Sequence, residues 1–412
     1  MSRSRTILAL ILVYMVFAVL MNSVGTVILQ SIQSFGVSKA QAGTLEGFKD
    51  IPVALASFLL ASMMPLVGYR RGIVIALVLV AAACAVMAMA EAFWATRLLF
   101  VCIGAAFGLV KVAVYASIGL LTDDRRSHAS LTNVIEGFFM VGMWAGYWLF
   151  AAFIDSNDPG RLDWLSVYWV LIGICLLAAL AIATSPLDES AARNQDEPIT
   201  EGFLNMLRLT LRPLVLVFVL SAWLYVLIEQ SIGTWLPTFN NEVLKLPSAV
   251  SVQMGSLFAG ALAIGRLAAG LVLRVVPWHR LLAFCVVAMA ALVLATLPMA
   301  ADVAEGQVTG WSDAPAAAYL FPLIGLFMAP IYPVINSVML SALPQHRHAA
   351  MTGLIVIASA LGGTTGSMLT GVLFGAFGGQ TAFYLSLLPM AAILVALHGF
   401  RRQVERNAAA PG

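Results

Sequence analysis

Charge is what this sequence has least of. Only 10% of its 412 residues are Asp, Glu, Lys or Arg, against about a quarter in ordinary soluble domains. A soluble chain of this length needs a polar skin over its core, and here too few polar residues exist to make one. Cysteine is also scarce. Cys84, Cys102, Cys175 and Cys285 each sit in an apolar run, with no CxxC pair and no metal spacing. They read as small core residues, which excludes a disulfide scaffold and a thiolate metal centre. The five histidines are dispersed and form no nucleophile–base pair. No Walker pattern occurs, so ATP is not the energy source. No cofactor is expected, and neither is enzymatic chemistry. A net charge of +2 gives no reason to expect a nucleic-acid partner.

Apolar residues fill the space that charge leaves, at 61% of the chain. A bilayer crossing takes about 20 mostly apolar residues. Runs of that kind lie near 6–30, 41–64, 72–90, 95–121, 130–154, 164–184, 213–237, 250–275, 279–300, 316–342, 349–375 and 380–400. The first is too long for the apolar core of a secretory signal, and no small-residue cleavage site follows it. Short loops join the spans except at 185–212 and 301–315. The expected organisation is an N-terminal bundle over 1–184, a linker over 185–212 and a C-terminal bundle over 213–412. If the N-terminus is cytoplasmic, fifteen basic residues fall in cytoplasmic segments. Lys39, Arg161 and Lys245 fall opposite, and the other four lie within spans. That asymmetry predicts an even number of spans with both termini in the cytoplasm.

The two halves repeat each other. Gln41-Ala42-Gly43-Thr44-Leu45 opens span two, and Gln253-Met254-Gly255-Ser256-Leu257 opens span eight. His128-Ala129-Ser130-Leu131-Thr132-Asn133 precedes Gly142 and Gly146 in span five. His348-Ala349-Ala350-Met351-Thr352-Gly353 precedes Gly362 and Gly366, at the same offsets, in span eleven. A duplicated six-helix unit puts a binding site at the interface of its copies, near mid-membrane, and lets them rock about it. The run Gly362-Gly363-Thr364-Thr365-Gly366 lacks a phosphate-binding lysine and reads as a close-packing surface.

This 6+6 pattern, the basic loop Gly68-Tyr69-Arg70-Arg71-Gly72 and the central linker resemble the major facilitator superfamily over nearly the whole chain. Gly325-Leu326-Phe327-Met328-Ala329-Pro330-Ile331-Tyr332-Pro333, and the span one segment around Asn22 and Gln30, resemble its fucose permease branch of sugar–proton symporters. The resemblance implies an all-α membrane protein of twelve helices in two pseudo-symmetric bundles. It implies secondary transport by alternating access, with spans one, four, seven and ten lining the cavity. The expected setting is a bacterial plasma membrane, and the expected unit a monomer. The chain departs from the branch twice. Lys111 stands where the branch carries a functional glutamate, and Gly25-Thr26 where it carries an aspartate. Those departures suggest a relocated proton site and an anionic solute.

Charges buried in lipid cost about 3 kcal/mol each on insertion scales, so those present ask for a reason. Seven lie well inside spans: Glu46, Lys49, Asp50, Lys111, Glu136, Glu229 and Arg266. Glu46 and Asp50 are i,i+4 on one helix face, and Lys49 can pair with Glu46 at i+3. Two acids and one amine leave a spare carboxyl to carry a proton. The other reading is a self-neutralised structural cluster near the membrane surface. Lys111 is near mid-membrane, where it either meets solute or pairs with span two. Glu136 and Arg266 form a gating pair between the halves, unless Arg266 packs within its own half. Glu136 is also a candidate proton carrier. Glu229 and Gln230, with Tyr225, suit a polyol, because amides and carboxylates bond hydroxyls while rings cover an apolar sugar face. Tyr332, Asn336, Trp144, Tyr115, Asn22 and Gln30 complete the expected solute contacts. An aromatic in a membrane helix is more often packing or an interfacial anchor. The expectation is proton-coupled (or sodium-coupled) uptake of a small hydrophilic solute such as a sugar. The alternative is a proton-antiport exporter of amphipathic compounds.

Overall fold

A computed structural model of the protein describes residues 2–59, 67–122, 124–186, 212–300, 308–344 and 347–409. Among them every regular element is helical. Eleven helices are long and apolar enough to cross a membrane, matching every expected span but the second. The linker expected at 185–212 lies outside the described residues except at its ends, as does the first part of the long loop at 301–315.

By internal contacts the chain forms two compact units. The first contains the described residues of 1–37 and 48–199, the second those of 38–47 and 200–412. In the first unit, span one is broken into α1 (Ser2–Met21) and α2 (Val24–Phe35). The break is local chemistry. Asn22 Nδ2 donates to the Ala18 carbonyl at 2.8 Å and Ser23 Oγ to that of Leu20 at 2.8 Å. Side chains thus satisfy backbone groups that lipid cannot. Gly36, at φ 63°, ends α2 in the left-handed conformation that costs glycine least.

Span two is not one helix. A capping box of Ser38 and Gln41 starts α3 (Lys39–Gly43), which gives way at Thr44 to α4 (Leu45–Leu59). The Thr44 hydroxyl bonds back to the Gln41 carbonyl at 2.6 Å. Pro52 then removes one amide donor inside α4. The expected helix over 41–64 therefore starts earlier and is interrupted, and its last part lies outside the described residues. The first unit continues with α5 (Tyr69–Ala90), α6 (Phe93–Leu121), α7 (Arg125–Ala151) and α8 (Val167–Ala183). In it α5 packs on α6 and α8, and α1 on α7.

The second unit contains α9 (Pro213–Gly233), α10 (Leu236–Glu242), α11 (Ser248–Val272) and α12 (Trp278–Thr296). Span ten is broken into α13 (Ala316–Leu320), α14 (Ile324–Met328) and α15 (Ile331–Ser341). Last come α16 (His348–Phe377), α17 (Gly379–Leu385) and α18 (Leu387–Ala409). The span ten break falls at Ala329-Pro330, just ahead of Tyr332 and Pro333. Here α9 packs on α16 and α18, α11 packs on α14, and the short α3 packs on α16. A stack of Phe239, Phe321 and Phe383 fills one end, with centroids 4.5–5.3 Å apart. In the loop before α13, Trp311 Nε1 donates to Gln253 Oε1 at 2.7 Å. Hydrogen bonds from Thr309 and Ser312 hold the Asp313 carboxyl below its ordinary range.

The repeat seen in the sequence does the same mechanical work in each unit. A Cβ on Gly142 of α7 would lie 2.7 Å from the Met15 carbonyl oxygen of α1. One on Gly362 of α16 would lie 2.6 Å from that of Trp223 in α9. Gly366 likewise abuts the Leu227 carbonyl, and Gly104 of α6 abuts that of Lys49 in α4. Without a hydrophobic drive between helices in lipid, such backbone approaches supply the packing. Gly104→Ala should lower the melting temperature of the purified protein by the equivalent of about 1–3 kcal/mol of overpacking. Gly119→Ala, with nothing within 4 Å, should not lower it.

Candidate functional site

Each unit carries its own set of polar side chains inside apolar helices. In the first unit, Lys49 is 5% exposed. Its Nζ lies 3.5 Å from Asp50 Oδ1 and donates to the Met21 carbonyl at 3.4 Å, beside the break in span one. The amine thus ties α4 to the end of α1 (Gly104 permits α6 to close on the same turn). Deeper in this unit, Tyr115 Oη donates to Glu136 Oε1 at 2.6 Å, joining α6 to α7. Tyr14 of α1 has its buried hydroxyl close to Tyr115 and Glu136. Its ring meets Phe107 at 6.2 Å and Phe139 at 5.6 Å. Lys111, one helical turn from Tyr115, is exposed although it sits mid-span. Arg97 stacks its guanidinium on Phe93 at 4.7 Å and Phe48 at 5.6 Å.

Other expected contacts in this unit are differently engaged. Gln30 is buried and donates to Gln33 Oε1 at 3.1 Å. Asn22 spends an amide proton on the break in span one. Trp144 is 48% exposed and lies against Trp148 at 6.1 Å.

In the second unit, Tyr225 and Tyr332 stack with centroids 5.6 Å apart and planes at 24°. Tyr225 Oη donates to Glu229 Oε1 at 3.1 Å. Tyr332 Oη is 2.7 Å from Ser359 Oγ. The Ser359 proton is already given to the Ile355 carbonyl at 2.7 Å, so Tyr332 is the donor of that pair. Asn336, one turn beyond Tyr332, has a buried Oδ1 without a partner among the described residues. Arg266 lies within electrostatic reach of Tyr225. The expected solute residues Tyr225, Glu229, Tyr332 and Asn336 therefore gather, and Ser359, which the sequence did not single out, joins them.

Glu46 belongs to this second unit as well. It is fully buried, and Thr234 Oγ1 lies 3.3 Å from its Oε2 and 2.7 Å from Gln230 Oε1. Nearby, Lys39 Nζ pairs with Glu242 at 2.6 Å and sits 5.1 Å above the Phe374 ring. Trp235 Nε1 donates to the Ser367 carbonyl at 3.0 Å. Of the span two cluster, Asp50 meets Lys49, and Glu46 meets Thr234 of α9. Among the described residues no His, Cys, Asp and Glu side chains gather in threes as metal ligands would.

Removing Asp50 alone leaves the Lys49 amine buried without that partner. Asp50→Leu should destabilise the purified protein by about 3 kcal/mol, and Lys49→Met in the same chain should recover most of it. Thermal unfolding of the two single variants and the double variant checks this.

Comparison with known proteins completes the picture. The chain is 24% identical over 341 residues to a glucose/galactose transporter of Brucella abortus, covering 79% of this chain and 77% of that one. Among solved structures, the E. coli Fucose:proton symporter FucP aligns with a TM-score of 0.60 at 18% identity, over 97% of this chain and 99% of that one. A bacterial homolog of the human lysosomal transporter Spinster aligns with a TM-score of 0.75 at 16% identity, over 98% and 97%. At such identities the structural likeness is one of fold. The sequence profile of the Major Facilitator Superfamily matches residues 6–363. A profile match over most of the chain, on eleven membrane-length helices and a six-helix repeat, means that this protein belongs to the Major Facilitator Superfamily: it is a multi-pass membrane transporter and not an enzyme.

Proposed function

We propose that this transporter takes up a small hydrophilic solute, a sugar or acidic sugar derivative, by proton symport. The observation that carries the reading is the Tyr225–Tyr332 stack edged by Glu229, Ser359 and the unpartnered Asn336 Oδ1. The partly exposed Tyr332 ring, backed by Tyr225, offers a face for the apolar side of a pyranose, and carboxylate, hydroxyl and amide groups offer partners for its hydroxyls. An amphipathic drug would leave those polar groups unmet, which disfavours an exporter. The named relatives, a glucose/galactose transporter and a fucose–proton symporter, support the same solute class. Lys111, exposed at mid-span, supports an acidic solute.

Protons are proposed to load on the carboxyls of the first half. Glu46 and Glu136 each hold a hydroxyl partner within an apolar span, and Asp50 is tied to Lys49. The bias of basic residues supports cytoplasmic termini in a bacterial plasma membrane.

Proteoliposomes with an imposed inward proton gradient test this. Wild type should accumulate a neutral or acidic hexose only while the gradient lasts. Glu46→Gln should abolish accumulation yet keep solute exchange across the membrane. Lys111→Gln should shift preference from glucuronate toward glucose by about tenfold, the worth of one charge-assisted bond. Accumulation in Glu46→Gln equal to wild type would sink the role of that carboxyl. Gradient-driven loss of hydrophobic cations, without hexose uptake, would establish the exporter instead.

A further inference from the structure

The Thr234 hydroxyl has one proton and two oxygen neighbours that ask for it. Gln230 Oε1 is 2.7 Å away and Glu46 Oε2 is 3.3 Å away. A hydroxyl donates once and accepts through its lone pairs. When Thr234 spends its proton within this trio the chain runs in one of two senses, and the sense in which Glu46 donates requires a protonated carboxyl. If Glu46 is protonated, its O–H donates to Thr234 Oγ1 and Thr234 donates to the Gln230 carbonyl. If Glu46 is ionised, Thr234 donates to the carboxylate. The Gln230 amide must then be turned by a half rotation, so that Nε2–H donates to Thr234.

We propose that Thr234 and Gln230 are the residues that read the protonation of Glu46 and pass it to the solute site, by reversing this chain of hydrogen bonds. The proposal rests on the reading of Glu46 as a proton carrier. The proton itself is exchanged between the Glu46 carboxyl and water, and Thr234 keeps its own. What changes is the free end of the Gln230 amide. It presents its NH2 group when Glu46 is protonated and its carbonyl oxygen when Glu46 is ionised. Gln230 follows Glu229, whose carboxylate accepts from Tyr225. Proton occupancy thereby becomes a donor-for-acceptor exchange at the Gln230 amide, one residue along α9 from Glu229.

The surroundings suit such a relay. Glu46 is fully buried and Thr234 is 6% exposed, so water does not readily replace either partner. Gly43 and Gly47 let the span two segment close on α16: a Cβ on either would lie 2.9 Å from the Ser367 carbonyl oxygen or 2.8 Å from the Thr364 methyl group. Thr364, Ser367 and Met368, which α16 presents there, are not ionisable. The charged groups to reckon with are Lys49 and Asp50 on the helix of Glu46, Glu229 beside Gln230, and the Lys39–Glu242 pair.

Infrared difference spectroscopy of the full chain in lipid nanodiscs, titrated with pH and without solute, reads the relay directly. A protonated-carboxyl band lost in Glu46→Gln belongs to Glu46. Thr234→Val should move its midpoint by about one pH unit, the worth of one hydrogen bond. Gln230→Leu should move it similarly, and the double variant no further. Thr234→Ser should restore the wild-type midpoint, and Thr234→Ala stands in if the valine variant does not fold. Absence of a Glu46 band at every pH overturns the proposal. So does an unmoved midpoint in Thr234→Val, or shifts that add as independent effects. A relay confirmed in this way, with no gradient-driven hexose accumulation by wild type, would instead overturn the symport reading alone.

Discussion

Backbone-to-backbone approach at glycine is the constraint on which the rest of this structure depends. Lipid gives helices no hydrophobic reason to associate, so the chain relies on surfaces with nothing in the way. Gly142 against Met15, Gly362 against Trp223 and Gly104 against Lys49 bring carbonyl oxygens where a methyl group has no room. The polar clusters follow from those approaches. The Tyr115–Glu136 bond bridges α6 and α7, and α7 is seated on α1 through Gly142. Thr234 reaches Glu46 because Gly43 and Gly47 have removed their side chains from the path of α16.

Each buried carboxyl has a polar neighbour among its contacts. Asp50 takes Lys49, Glu136 takes Tyr115, Glu229 takes Tyr225, and Glu46 takes Thr234. Three of these neighbours are hydroxyls, which can bond a carboxyl in either protonation state. An all-cation set of partners would hold the acids ionised. Hydroxyl partners leave their charge free to change, which the proposed proton symport would use.

Much of this was legible in the sequence because it is local or periodic. Span positions follow from apolar run length, and the paired glycines of spans five and eleven follow from equal offsets in a repeat. The break ahead of Tyr332 falls at Pro330, a residue that lacks the amide donor a continuous helix needs. The interruption of span two was missed, since Gln41 to Leu45 reads as ordinary helix and its capping box lies just upstream at Ser38. Tyr14 was missed because nothing in an unbroken apolar stretch distinguishes a hydroxyl that ends beside Glu136 from one at a lipid surface. The pairing of Glu46 with Thr234 could not be seen at all. The two are 188 residues apart, and no periodicity links partners brought together by tertiary packing.

That separation has a consequence for how the protein is made. Ser38 to Gly47 emerges from the ribosome early, yet its neighbours Thr234, Glu242, Ser367 and Phe374 come much later. At roughly 5–20 residues per second, the segment waits on the order of ten seconds for the first of them. Until then a buried carboxyl and a lysine lack their eventual lodging. The contacts of this segment can form only after the residues of the second unit that it meets have been made. The head of span two is parked, and its placement is among the closing acts of assembly.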